Sequence, residues 1–210
     1  MWRCLSHWIG GMGILVFLLA VLPLVGGSNM QLMKAESPGP SVGKLVPKVR
    51  FTARILYYLY VALTLLQVVV MLLGGMTLYE ALCTSFGTAG TGGFGIRSDS
   101  IASFSPFLQW AITIFMIAFG VNFNVYFLLY MRRPKEALRC EEMRWYLAII
   151  TAAALLIFVN AYDAALTVEH NLRQSFFQVA SIITTTGFAT ADFNLWPGFS
   201  RGILVLLMFI

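Results

Sequence analysis

The chain has 210 residues, of which 59% are hydrophobic and only 11% charged, and its mean hydropathy is +0.81. Soluble domains carry about 25% charged residues, so these values exclude an ordinary water-soluble domain. A content of 14% aromatic residues also excludes a disordered chain. The sequence therefore predicts an all-α integral membrane protein. Its three cysteines, Cys4, Cys83 and Cys140, are widely spaced and predict buried thiols, with neither a disulfide framework nor a metal site.

Long uncharged and apolar stretches recur along the chain, and a membrane helix needs about 20 such residues. We predict membrane helices within 1–33 and at 55–75, 107–131, 145–162 and 198–210. The last apolar stretch is short where the sequence stops at Ile210. The chain is therefore expected to be a piece of a longer protein.

Basic residues concentrate in two connections, 34–54 and 132–144, which hold ten of the 14 Lys and Arg residues. Because Lys and Arg near helix ends favour the cytoplasmic side, both connections are predicted to be cytoplasmic. The formal net charge of +5 then follows from membrane topology. Nucleic-acid binding is not expected, since the basic residues flank membrane helices and do not form one basic and aromatic face.

The stretch 81–96 is uncharged but does not resemble a lipid-facing helix. Nine of the twelve residues from Thr84 to Gly95 are Gly, Ser or Thr. A crossing here would place the second basic connection outside the cell, so we predict a re-entrant segment that returns to the face it entered from. Irregular backbone at membrane depth is tolerated where it is buried in protein or lines a water-filled cavity. The alternative is a close-packed interface of small residues between helices.

An internal repeat favours the cavity-lining interpretation. Residues 79–94 align with 173–188 at a constant offset, which places the sequence TGGF at 91–94 over TTGF at 185–188. In each copy a short apolar stretch precedes the Gly- and Thr-rich segment, and a long apolar helix stands on either side. A short helix that leads into such a segment can form an ion filter, in which backbone carbonyls replace the hydration shell of a cation. Glycine gives the backbone the freedom that this geometry needs.

Several motifs together resemble the Trk/Ktr/HKT superfamily, and most closely the membrane subunit of bacterial Trk and Ktr potassium-uptake systems. They are FGTAGTGGF at 86–94, TTTGF at 184–188, WIGGMG at 8–13, the segment 31–40 with ESPGP, and EEMRWYL at 141–147. This series in this order covers essentially the whole chain.

The resemblance implies four tandem helix–pore loop–helix repeats around a pseudo-fourfold potassium pathway, of which this chain would hold an incomplete set. Residues 1–33 would be the second helix of repeat one, 55–131 repeat two, and 145–210 a truncated repeat three. Pore helices are expected at 77–88 and 172–183, and filters at 89–94 and 184–188. The ion-filter residues implied are Ala89, Gly90, Thr91, Gly92, Gly93, Ile183, Thr184, Thr185, Thr186 and Gly187.

The resemblance further implies the setting of the protein. Potassium is expected as the substrate, with no cofactor in this chain and with the gate located beyond Ile210. Expected partners are the remaining repeats of the polypeptide, a second copy of the full-length subunit, the lipid bilayer and a cytosolic nucleotide-binding ring near the basic connections. The expected location is the bacterial inner membrane, as a multi-pass protein.

Two alternatives to a potassium transporter remain. The first is a non-conducting structural or accessory membrane protein with the same repeat fold, since two loops cannot close a ring. The second is an intramembrane enzyme, which would need clustered acid and base groups within the membrane. The predicted helices carry no such pair at catalytic spacing, so we predict that the chain is not an enzyme and has no catalytic residues.

Overall fold

The computed structural model describes residues 1–13 and 49–209, and its regular structure there is helical, with no strand among these residues. The all-α prediction is confirmed over that part of the chain. The predicted helical residues 14–33 and the start of the basic connection, 34–48, lie outside the described residues. The helices are α1 (Trp2–Trp8), α2 (Val49–Leu73), α3 (Leu78–Ala89), α4 (Pro106–Gly120), α5 (Phe123–Tyr130), α6 (Pro134–Leu138), α7 (Glu141–Asn160), α8 (Val168–Ile183) and α9 (Gly198–Leu207).

Two of these helices are long and apolar enough to cross a membrane. They are Ile55–Leu73 within α2, with mean hydropathy 2.2, and α7, with mean hydropathy 1.7. At about 1.5 Å per residue, about 20 residues span the hydrocarbon core. α4 and α9 are apolar but shorter. Large apolar side chains such as Leu73 and Val159 are exposed on these helices, which suits a lipid surface.

The fold contains two groups of helices that share an arrangement. In the first, α2, α3 and α4 pack around a core that includes Met71, Ile112 and Met116. In the second, α7, α8 and α9 pack around a core that includes Ile150 and Ile157. Each group places one helix between two others in the chain: α3 (12 residues) in the first group and α8 (16 residues) in the second, which we call the two short helices. The contact of α4 with α8 joins the groups.

Threonine side chains fix the start of both short helices. Thr77 Oγ1 accepts a hydrogen bond from the Glu80 backbone N–H (3.3 Å), and Glu80 Oε2 accepts one from the Thr77 N–H (3.2 Å), which together form a capping box. Thr167 Oγ1 accepts from the His170 N–H (3.2 Å). α8 therefore begins at Val168, about one turn before the predicted 172, because Thr167 is an effective N-cap.

The helix predicted at 107–131 is interrupted. α4 ends at Gly120 and α5 begins at Phe123, while Val121 is extended with φ −71° and ψ 138°. Proline is absent from this segment, so the cause lies elsewhere. Hydroxyl groups insert at the end of α4: Tyr126 donates to the Ala118 carbonyl (2.7 Å) and Tyr146 to the Ile117 carbonyl (3.2 Å). Side chains that replace backbone bonds in this way are a recognised cause of helix breaks.

Candidate functional site

The two short helices lead into segments of matching backbone, which we call the first loop (Gly90–Phe94, after α3) and the second loop (Thr184–Phe188, after α8). Gly90 ends α3 with φ −84° and ψ 0°, and Thr184 ends α8 with φ −86° and ψ 3°. Ala89 and Ile183, which were predicted as the first filter residues, are the last residues of the two helices. The loops therefore leave their helices in the same direction.

The sign of φ alternates along both loops. It is positive at Thr91 (52°) and Gly93 (59°) in the first loop, and at Thr185 (55°) and Gly187 (84°) in the second. Each residue of the first loop lies 94 positions before its equivalent in the second. A β-branched residue in the left-handed region is a genuine outlier, and such strained residues cluster at functional sites. Two threonines held in this conformation at equivalent positions therefore mark both loops as specialised backbone.

This alternation bears on where the carbonyl oxygens can point. A regular strand is pleated, and its successive residues face opposite sides. Changing the sign of φ at every second residue rotates alternate peptide planes, so that successive carbonyls can face one side. That is the backbone requirement for several carbonyls to surround one cation.

The two loops touch each other at their glycines. A Cβ atom added to Gly93 would overlap the Thr186 carbonyl oxygen and lie 2.8 Å from the Gly187 carbonyl carbon. Nearby, the Ala189 N–H donates to Ser100 Oγ (3.2 Å), and the Ile101 N–H donates to the Ala189 carbonyl (3.1 Å). The structure thus brings together two segments that are far apart in the sequence.

The first loop packs against the histidine of α1. A Cβ on Gly90 would lie 2.9 Å from His7 Cδ2, and one on Gly92 would lie 2.7 Å from the same atom. The Phe94 ring meets the His7 ring edge-on at 5.5 Å, and the Arg3 guanidinium lies 4.0 Å from the Phe94 centroid. The contact of His7 with the loop was not predicted from the sequence. The position of His7 shortly before WIGGMG was the only available signal.

A cavity of about 370 Å³ lies beside this contact. Ser6, His7, Gly10, Gly11 and Gly90 line it. A Cβ added to Gly11 would lie 3.2 Å from the Tyr60 hydroxyl oxygen and in ordinary contact, at 3.5 Å, with Gly90 Cα. The cavity gives the helical end of the first loop an open side.

The second loop is filled by its own side chains. Thr184 and Thr186 are buried; their hydroxyls lie 2.8 Å apart, and Thr184 Oγ1 also donates to the Ala180 carbonyl (2.7 Å). Ser181 Oγ donates to the carbonyl of the buried Phe188 (2.6 Å). Thr185 and Gly187 are exposed. Because the two buried hydroxyls are bonded within the protein, a ligand at this loop would meet the backbone and the exposed side chain of Thr185.

Ion pairs hold the opposite end of each short helix. In the first group, Arg97 Nη2 lies 2.8 Å from Glu80 Oε1. The hydrogen bond from Arg97 is the main reason that the pKa of Glu80 lies below its ordinary value. The guanidinium also stacks on Phe104, at 4.2 Å from the ring centroid. These contacts fasten the segment after the first loop to the start of α3.

In the second group the cation is buried. Arg173, with 5% of its side chain exposed, lies 2.6 Å from Glu169 Oε1 and 3.0 Å from His170 Nδ1. Trp110 Nε1 donates to Glu169 (2.9 Å), and this bond is the main cause that lowers the pKa of the Glu169 carboxyl. The ion pair between Glu169 and Arg173 was not predicted from the sequence. The spacing of four residues between them was the available signal.

Three further acidic residues have local roles. Asp163 accepts from the Ala165 N–H (2.9 Å), Asp192 accepts from the Asn194 N–H (3.0 Å), and Asp99 has its pKa lowered mainly by a hydrogen bond from Ser103. Over residues 1–13 and 49–209 no three His, Cys, Asp or Glu side chains come close enough to hold a metal ion.

Comparison with known proteins identifies the family of this chain. The family model "TrkH: Cation transport protein" matches residues 1–161. The Trk system potassium uptake protein TrkH of Salmonella typhimurium is 37% identical over all of this chain and 44% of its own length, and TrkH of Escherichia coli is 36% identical with the same coverage. The crystal structure of the potassium transporter TrkH from Vibrio parahaemolyticus matches with a TM-score of 0.78 and 29% identity, over 98% of this chain and 42% of that one. The chain thus spans less than half the length of these relatives.

Proposed function

Because this chain belongs to the TrkH family of cation transport proteins, we propose that it forms part of a potassium-transporting membrane protein and supplies two ion-coordinating loops of its filter. The family is the one that the sequence motifs indicated, and it consists of transport proteins and not of enzymes. One observation carries the proposal: the first and second loops share an alternating φ pattern at positions 94 apart, and they meet at Gly93 and Thr186.

The filter would coordinate potassium with carbonyl oxygens. The residues that we assign to it are Ala89, Gly90, Thr91, Gly92, Gly93, Ile183, Thr184, Thr185, Thr186 and Gly187. Removing the water shell of a cation costs more than one contact returns, so several carbonyls must act together. The C-terminal ends of α3 and α8 also carry partial negative charge that favours a cation nearby. Conduction follows if the cation is held by several such sites, each weak enough to release it.

The helix arrangement supports a repeat of helix, re-entrant loop and helix. In this proposal α2, α3 and the α4–α5 pair form one repeat, and α7, α8 and α9 belong to the next. Two loops do not close a ring around an axis, so further repeats of the same polypeptide would complete it. The relatives, which are more than twice the length of this chain, have room for such repeats.

The same proposal includes location and partners. We place the protein in the bacterial inner membrane as a multi-pass subunit, with two copies of the full-length subunit in the assembly. A cytosolic nucleotide-binding ring would dock near the basic residues around α6, such as Arg133 and Arg139. The basic character of that segment supports its cytoplasmic position.

Uptake of rubidium-86, a potassium substitute, tests this function. The full-length protein carrying this sequence is expressed in bacteria that lack their own potassium uptake, alongside Gly93→Ala and Gly187→Ala. Gly202→Ala is the matched control, because Gly202 lies in α9 and no described atom lies within 4 Å of an added Cβ. We expect uptake by the parent and the control, and much less by the two loop variants at equal membrane expression. Equal uptake by all four proteins, above that of cells without them, would assign the loops a packing role. No uptake by any of them would support the non-conducting repeat fold.

A further inference from the structure

The interruption between α4 and α5 lies directly against the second loop. Gly120, the last residue of α4, is exposed, and a Cβ added to it would overlap the Tyr146 hydroxyl and lie 2.8 Å from Thr184 Cγ2. Thr184 is the first residue of the second loop. A single glycine of the broken helix therefore separates the loop from a tyrosine of α7.

The broken helix depends on side chains to satisfy its backbone. The end of α4 leaves carbonyl groups without their usual intrahelical partners four residues on. Tyr126 donates to the Ala118 carbonyl and Tyr146 to the Ile117 carbonyl. Tyr126 belongs to α5, part of the same interrupted helix. Tyr146 belongs to α7, so its bond ties the interruption to a different membrane helix.

A second tie joins α7 to the interruption. Asn122 Nδ2 donates to Glu142 Oε2 (2.8 Å). Glu142 and Tyr146 are four residues apart and therefore lie on one face of α7. The first turns of α7 hold the broken helix at two points, one on either side of Val121, and so fix how closely Gly120 approaches Thr184.

We propose that Tyr146 is a positioning residue for the filter: its hydroxyl holds the interrupted helix against Thr184 and so fixes where the second loop begins. This inference rests on the proposed function. A carbonyl filter distinguishes cations by the number and arrangement of the oxygens around them. A small shift of Thr184 therefore changes the preference among cations before it changes the fold. Tyr146 itself does not touch the ion.

The test compares two tyrosines that make the same kind of bond at the same interruption. Tyr146→Phe and Tyr126→Phe each remove one hydroxyl and keep the ring. Uptake of rubidium-86 by the full-length protein in proteoliposomes is measured against increasing sodium. We expect Tyr146→Phe to lower the preference for rubidium over sodium about fivefold, as the loss of one hydrogen bond would. Tyr126→Phe should leave this preference within about twofold, since its bond stays inside one interrupted helix.

A second variant tests the route through Gly120. Thr184→Ser removes the methyl group that faces Gly120 and keeps the hydroxyl that bonds Ala180 and Thr186. We expect a lower preference for rubidium here as well, and a double variant with Tyr146→Phe that loses less than the two single effects combined. Independent effects would mean that Tyr146 does not act through Thr184, which would overturn the inference.

The other outcomes are also decisive. An unchanged rubidium preference in Tyr146→Phe, with uptake still lost in Gly187→Ala, would overturn this inference and leave the proposed function intact. Equal losses of rubidium preference in Tyr126→Phe and Tyr146→Phe would mean that either hydroxyl simply stabilises the interruption. That result would also overturn the inference. If the parent protein takes up no rubidium, the proposed function fails and the inference fails with it.

Discussion

The first and second loops have the same backbone but fill the space around it differently. In the first loop, Gly90 and Gly92 have no side chains, and His7 of α1 occupies the space beside them. At the equivalent positions of the second loop, Thr184 and Thr186 are buried and bond to each other. The two loops share the alternating sign of φ. Their glycine content differs because different side chains pack beside them. The glycine content of such a loop therefore depends both on its backbone conformation and on the side chains that pack against it.

The largest difference in stability is expected between substitutions of the two positive-φ glycines of the loops, Gly93 and Gly187. Gly93→Ala places a Cβ onto the Thr186 carbonyl oxygen, and because that atom is backbone, the second loop must move. We expect the free energy of unfolding to fall by about 2–4 kcal/mol, from overpacking and left-handed strain together, and uptake to be lost.

Gly187→Ala serves as the comparison for that substitution. No described atom lies within 4 Å of its added Cβ, so only the strain of φ 84° applies, about 1–2 kcal/mol. Thermal unfolding of the two purified variants measures the difference. Equal destabilisation would mean that contact between the loops contributes little.

The next largest difference is expected between the contributions of the two groups' ion pairs to the free energy of unfolding. Glu169→Gln leaves the buried guanidinium of Arg173 without its carboxylate. We expect a loss of about 2 kcal/mol in the free energy of unfolding, below the 3–5 kcal/mol typical of a fully buried pair because Glu169 is half exposed. Thermal unfolding in detergent measures it. Glu80→Gln is the comparison, because its partner Arg97 is 41% exposed. If Glu169→Gln lost no more stability than Glu80→Gln, burial of the arginine would not strengthen the ion pair.

Because His7 occupies the space beside Gly92, we expect a smaller effect from substituting Gly92. Removal of the His7 side chain should partly reverse that effect. Gly92→Ala should lower stability by about 1 kcal/mol and reduce uptake, because its Cβ would lie 2.7 Å from His7 Cδ2. His7→Ala in the same protein should restore part of both, since it opens the space that the Cβ needs. Rubidium uptake by the two single variants and the double variant forms a complete cycle. Additive losses would show that His7 does not limit the side chain at position 92.

The smallest effect concerns pH. Arg97 keeps the pKa of Glu80 below its ordinary value, so this pair stabilises the folded protein above the ordinary carboxyl pKa and loses that contribution as the pH falls through the lowered one. An exposed pair contributes less than about 1 kcal/mol. We expect Glu80→Gln to lower the unfolding temperature slightly at neutral pH and to match the parent in acid. A constant difference across this range would contradict the assignment.

Composition and spacing predicted much of this fold because they depend on local sequence. The apolar stretches indicated α2 and α7, and the constant offset between 79–94 and 173–188 indicated two related loops before any coordinates. The resemblance in motifs indicated the family. Each of these signals is carried by residues close together in the chain.

The rest depends on contacts between distant residues. Gly120 and Asn122 are weak helix formers in the apolar segment 107–131. They do not specify the break at Val121 by themselves, because Tyr146, from another helix, bonds a carbonyl at the end of α4. The left-handed φ of Thr91 and Thr185 contradicts the ordinary preference of threonine, and only the surrounding structure imposes it. The contact of His7 with Gly92 joins residues 85 positions apart and has no signature in either segment.

The contact between Gly93 and Thr186 also has a consequence for biosynthesis. The two residues are separated by 93 positions, and chains grow at about 5–20 residues per second, so the first loop waits for about 5–20 s before its neighbour exists. Over that interval α1, which is synthesised earlier, is the described element already able to cover Gly90 and Gly92 through His7. The contact of His7 with Gly90 and Gly92 can therefore form before the contact of Gly93 with Thr186.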